Sequence, residues 1–122
     1  MSMEIDSTLG KIDVSNEVIA TIAGGAAENC YGLVGMASRK ALKDGFTELL
    51  GKDNLSRGVD VKNQDGIIEI DLYIIVSYGV KISEVAYNVQ TKVKYTLNQM
   101  LGLDISGVNV FVQGVRVAEL AQ

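Results

Sequence analysis

The sequence predicts an α+β domain: a small mixed β-sheet with two main helices packed on one face, in the order β-α-β-α-β-β-α-β. Three observations predict it. Residues 16–30 and 84–101 repeat apolar side chains at helical spacing. Residues 58–78 alternate apolar and polar on either side of Asp65-Gly66, the strongest short hairpin signal. And 122 residues, 48% apolar and 21% charged, hold one globular core and not two.

Along the chain, residues 1–9 read as a flexible N-terminal arm, 10–117 as the single domain and 118–122 as a C-terminal tail. Gly10-Lys11-Ile12-Asp13-Val14 alternates and reads as a short strand. Ser15 stands as N-cap of a helix at 16–30, with Glu17 in its first turn opposing the helix dipole. Val18, Ile19, Ile22, Ala23, Ala26, Ala27 and Cys30 form its apolar face. Gly24 and Gly25 each cost up to about 1 kcal/mol relative to alanine inside a helix. Among Ala20, Ala23, Ala26 and Ala27 they make a thin side suited to close packing. A phosphate loop would place such glycines between a strand and a helix start, followed by lysine, and this pair is not so placed.

Leu33-Val34-Gly35-Met36 reads as a second strand. Ser38 caps a helix at 39–50, with Leu42, Phe46, Leu49 and Leu50 apolar and Gly51 as its stop. A polar connector, 52–57, leads to the hairpin 58–64/67–78. A two-residue loop sets Gln64 opposite Ile67, Val61 opposite Ile70 and Val59 opposite Leu72. The apolar side chains then share one face with Ile68, Ile74 and Val76. The same register sets Lys62 opposite Glu69 and Asp60 opposite Asp71. Ser83 reads as N-cap of the helix 84–101, with Ile82 and Tyr87 spaced as a hydrophobic staple. Its apolar stripe is Val85, Val89, Val93, Leu97 and Met100, and Gly102 ends it. Val108–Gln113 is the last strand, with Val108, Val110 and Val112 inward.

The composition removes whole classes of chemistry. Histidine is absent, which excludes Ser-His-Asp and Cys-His mechanisms and every histidine metal site. Asp60 and Asp71 could share a proton or a cation, but no third ligand stands near them in sequence. The expectation is no catalytic residue, no metal and no cofactor. Eleven basic against fifteen acidic residues give a net charge of −4, a poor match to a phosphate backbone, so no nucleic-acid partner is expected. The lone Cys30 reads as a small buried hydrophobe in a reducing compartment. No secretory signal is visible, and the longest apolar run, Leu72–Val76, has five residues where a membrane span needs about 20. The expected location is cytoplasmic, with no direct membrane insertion and membrane association only through a partner.

One surface stands out. The outward set on the hairpin and last strand includes Tyr73, Ile75 and Phe111 among Asp60, Glu69, Asp71, Asn109 and Gln113. A sheet face open to water reads polar, so three large apolar side chains there need a cover. The helix at 39–50, a second copy and another protein are the candidates. Tyr73, Ile75, Phe111, Asp60 and Asp71 therefore form the candidate interaction face, and self-association or docking of a protein partner is its expected use.

Several blocks carry a resemblance: Tyr78-Gly79-Val80-Lys81-Ile82-Ser83-Glu84-Val85-Ala86, Val89–Val93, Val108–Val115, Gly10-Lys11-Ile12, Glu17-Val18-Ile19 and Gly32–Met36. Together, over roughly residues 9–117, they resemble the alkaline shock protein family, the Asp-twenty-three/Gls-twenty-four group of Gram-positive cell-envelope stress proteins. Cys30-Tyr31-Gly32 and Asn54–Val59 are similar to its YloU-like branch. The resemblance implies a non-enzymatic cytosolic scaffold or interaction protein linked to envelope homeostasis or stress response. It also implies a membrane-anchored family member as partner. It carries over no catalytic residue. The alternative is a small regulatory subunit that binds a metabolic enzyme or a small ligand, supported by compactness and the Asp60/Asp71 pair.

Overall fold

The computed structural model describes residues 2–38 and 56–117. The expected helix at 39–50 and the tail 118–122 lie outside the described residues. The order is β1 (Ser2–Ser7), β2 (Gly10–Ser15), α1 (Asn16–Glu28), β3 (Leu33–Met36), β4 (Val59–Gln64), β5 (Ile67–Ser77), α2 (Ile82–Leu101) and β6 (Gly107–Arg116). Two helices and mixed sheets make the α+β class that the periodicities predict.

β5 is the centre of the main sheet. On one edge it pairs with β6 in parallel, and on the other with β4 and β3, both antiparallel. The β4–β5 register is the one set by a two-residue loop: Gln64 opposite Ile67, Lys62 opposite Glu69, Asp60 opposite Asp71 and Val59 opposite Leu72. Asp65 (φ 53°) and Gly66 (φ 81°) both adopt positive φ, the requirement of the tight hairpin turn whose twist matches the strands.

β3 and β4 are two halves of one edge. Met36 pairs with Ile74, Ala37 N donates to Tyr73 O at 2.8 Å, and Val59 resumes opposite Leu72. The chain thus leaves the edge after Ala37 and re-enters it one step further on. Gly58 makes the join, because a Cβ there would lie 2.7 Å from Ala37 O.

Both helices cover the same face. α1 packs on β3 and β4, α2 on β6, and the helices on each other. The core between them holds Ile19, Ala23, Ala27, Met36, Ile68, Ile70, Leu72, Ile74, Val76, Val89, Val93 and Leu97, all fully buried. Apolar burial of this kind is the main force holding the layers together.

The structure departs from the sequence reading at several points. Residues 2–7, expected as a loose arm, form β1 and pair with β2 in a separate two-stranded ribbon. Met3, Ile5 and Val14 of that ribbon pack on the main core, which is what orders it. Ser83 does not cap α2. The helix starts at Ile82 with Lys81 in the N-cap position and no side-chain bond, because the first turn closes on Lys81 O, which accepts from Val85 N at 3.1 Å. Ser83 is then inside the first turn, and Ile82 is helical and cannot act as a staple from outside. Met100, expected in the inward stripe, is 64% exposed, and the partly buried Leu101 packs on the core instead. Lastly, α1 ends at Glu28, two residues early, and Gly25 packs against nothing: a Cβ there would have no neighbour within 4 Å.

Candidate interaction surface

The outer face of the main sheet is set by the β4–β5 hairpin and by the parallel pairing of β6, which brings Asn109 beside Asp71 and Phe111 beside Tyr73. Asp71 is 3% exposed, yet both carboxylate oxygens are met. Asn109 Nδ2 donates to Oδ1 at 2.8 Å and Lys62 Nζ lies 2.9 Å from Oδ2. Burial alone would raise the Asp71 pKa. The Asn109 amide and the Lys62 ammonium outweigh it and hold the carboxyl below the ordinary aspartate value. Lys62 thus reaches diagonally to Asp71 rather than straight across to Glu69, and the Asp71 side of the Asp60/Asp71 pair is filled by protein donors. Among the described residues no group of three or more Cys, Asp or Glu side chains is placed to hold a metal ion.

Beside this ion pair, the Tyr73 and Phe111 rings stack with centroids 5.0 Å apart and planes 17° from parallel. Tyr73 is half-buried and Phe111 is 41% exposed. Ile75 is fully buried within the single chain, with Gly35 of β3 and Gly114 of β6 as its register partners. Of the five residues expected on an open face, Ile75 and Asp71 therefore lie inside the chain, Asp60 and Tyr73 are half-buried, and Phe111 faces solvent. Asn109 was not among them. Its role depends on β6 running parallel to β5, a pairing that no local pattern specifies.

A concavity at the tip of the β4–β5 hairpin is lined by Asn16, Val61, Lys62, Asn63, Gln64 and Glu69 among others, with no serine, threonine or cysteine among its described lining residues. Cys30 is half-buried on the core, with Sγ 3.8 Å from Ala26 O, and burial raises its thiol pKa. That is the environment of an inert cysteine rather than a nucleophile. Among the described residues no helix is long and apolar enough to cross a membrane.

Comparison with known proteins decides the family. The model of the Asp-twenty-three family, described as having a cell envelope-related function, matches residues 4–117. The chain belongs to the Asp-twenty-three family. It is 64% identical over 117 residues to YloU of Bacillus subtilis (strain 168), covering 96% of this chain and 98% of that one. It is 49% identical to Spy1614 of Streptococcus pyogenes serotype M6, covering 96% and 97%. A stress response regulator gls24 homolog of Streptococcus pyogenes serotype M3 is 28% identical, and there the match covers 90% of this chain but 61% of the relative. The Asp-twenty-three assignment agrees with the resemblance carried by the Tyr78–Ala86 and Val108–Val115 blocks, including its YloU-like branch.

Proposed function

We propose that this Asp-twenty-three protein is a non-catalytic interaction module of the Gram-positive cytosol, serving envelope homeostasis by docking protein partners at the Phe111 side of its sheet. One observation carries the reading. Asp71 is satisfied and Ile75 is enclosed, but the Tyr73–Phe111 stack ends in an aromatic ring that is 41% exposed. Exposed aromatic side chains on a rigid sheet make effective anchors, because they offer large contact area at little entropic cost. Membrane association comes through a partner, and the net charge of −4 disfavours nucleic acid.

The test is the native size of the chain in gently lysed cells. The expected result is migration well above the 13.1 kDa of one chain, with a Phe111→Ser variant shifted towards that mass while its circular dichroism remains that of the folded chain. Migration of the unsubstituted chain as a lone 13.1 kDa species would overturn the reading.

A further inference from the structure

Backbone alternation exposes a second feature of β6. Tyr73 O accepts from Ala37 N, and Ser77 N donates to Gly32 O. The odd-numbered residues of β5 therefore turn their backbone groups towards β3 and β4, and the even-numbered ones towards β6. In a parallel ladder, residues paired with those even positions turn their own N–H and C=O away. Their partners are Val108, Val110, Val112 and, past a bulge, Val115. Arg116 O accepting from Tyr78 N fits the same alternation. Val108, Val110 and Val112 thus point their backbone groups at the outer edge of β6, where no strand pairs among the described residues.

That edge is capped at one end and interrupted at the other. At one end Gln90 of α2 donates from Nε2 to Val108 O at 2.8 Å. Lys94 lines the same Gly107–Val108 corner, and a lysine there deters strand addition. At the other end the extra residue Gln113, between Ile74–Val112 and Ile75–Gly114, breaks the ladder. The open groups between them are those of Val110 and Val112, which flank Phe111 symmetrically.

We infer that the β6 edge pairs with β6 of a second copy, antiparallel about a two-fold axis at Phe111. In that register Val110 and Val112 of one copy exchange four backbone hydrogen bonds with Val112 and Val110 of the other. Phe111 faces its counterpart as the closely spaced non-hydrogen-bonded pair, extending the Tyr73–Phe111 stack into a row of four rings. Asn109 meets Gln113 of the second copy on the outer face. Residues 107–115 carry no charge, so two net-acidic copies meet along a neutral seam. A two-fold contact demands such a self-complementary pattern. The inference deepens the interaction reading and rests on it, since it assigns one partner to the Phe111 surface.

The test uses the purified full chain. Sedimentation equilibrium across a concentration series should show the mass rising from 13.1 kDa towards twice that value. Amide exchange over the same series should show Val110 and Val112 gaining protection as concentration rises. Asn109 and Phe111, whose N–H groups face β5, should be protected throughout. Phe111→Lys and Phe111→Glu should each be monomeric alone and associate when mixed, because like charges directly opposite repel and unlike charges attract. If either variant fails to fold, the exchange pattern of the unsubstituted chain decides alone. A purified chain that stays at 13.1 kDa, or a dimer whose Val110 and Val112 amides exchange as in the monomer, would overturn the edge pairing. Either result leaves the module reading to the cell-extract measurement, where a complex containing a different protein would sustain it.

Discussion

Asp71 shows how much a single buried side chain depends on its neighbours. Its two oxygens each take one donor, from Asn109 and Lys62. An asparagine in its place would turn an amide N–H₂ towards one of those donors. Asp71→Asn should therefore cost about 1–3 kcal/mol at neutral pH. A carboxyl held below its ordinary pKa stabilises the fold above that ordinary value, and the contribution is lost as pH falls through the folded value. The stability gap between the two proteins, read from urea midpoints, should accordingly shrink as pH drops below about 3.9. Two glycines argue in opposite directions. Gly32 has φ +88°, and a Cβ there would lie 2.6 Å from Val85 Cγ2, so Gly32→Ala should destabilise by roughly 2–4 kcal/mol. Gly25 faces open space in a regular helix, so Gly25→Ala should stabilise by about 0.5–1 kcal/mol. Thermal or urea unfolding reads both. The sequence marked Gly24 and Gly25 as a pair, but could not say which one the core needs, because that depends on the side α1 turns to the sheet. Gly24 is buried and Gly25 is not.

At the scale of elements, local chemistry was legible wherever backbone and side-chain signals coincide. The Asp65-Gly66 turn and the alternation around it specified the hairpin register to the residue. Ser15 accepts from Val18 N at 3.3 Å, as an N-cap should. Ser83 shares Ser15's residue type and a neighbouring acidic residue, yet α2 begins before it. Ser15→Ala should thus cost about 1 kcal/mol and Ser83→Ala close to nothing, as urea midpoints would show. β1 was missed for a different reason. Met3-Glu4-Ile5-Asp6 alternates, but the Thr8-Leu9 loop lacks the Asn-Gly or Asp-Gly signature that announces a hairpin. Only Gly10, at φ 143°, betrays the turn.

For the molecule as a whole, two helices on one sheet face followed from the amphipathic stripes alone, since each stripe must be buried and the hairpin offers an apolar face. Strand order did not follow. That β6 lies parallel to β5, and that β3 and β4 share one edge, come from long-range pairing that no window of sequence records. Those two facts move the candidate surface. They place Asn109 on Asp71, set Ile75 between two glycines in the register, and leave Phe111 at the rim. The function proposed for this chain is binding at that rim. It is tested most directly in living cells, by a photo-crosslinking amino acid at position 111 compared with one at Leu9, which is 99% exposed and remote from β6 in sequence. Binding at the rim should give one or a few discrete adducts from position 111 and none from position 9. No adduct from position 111, or the same adducts from both positions, would contradict it.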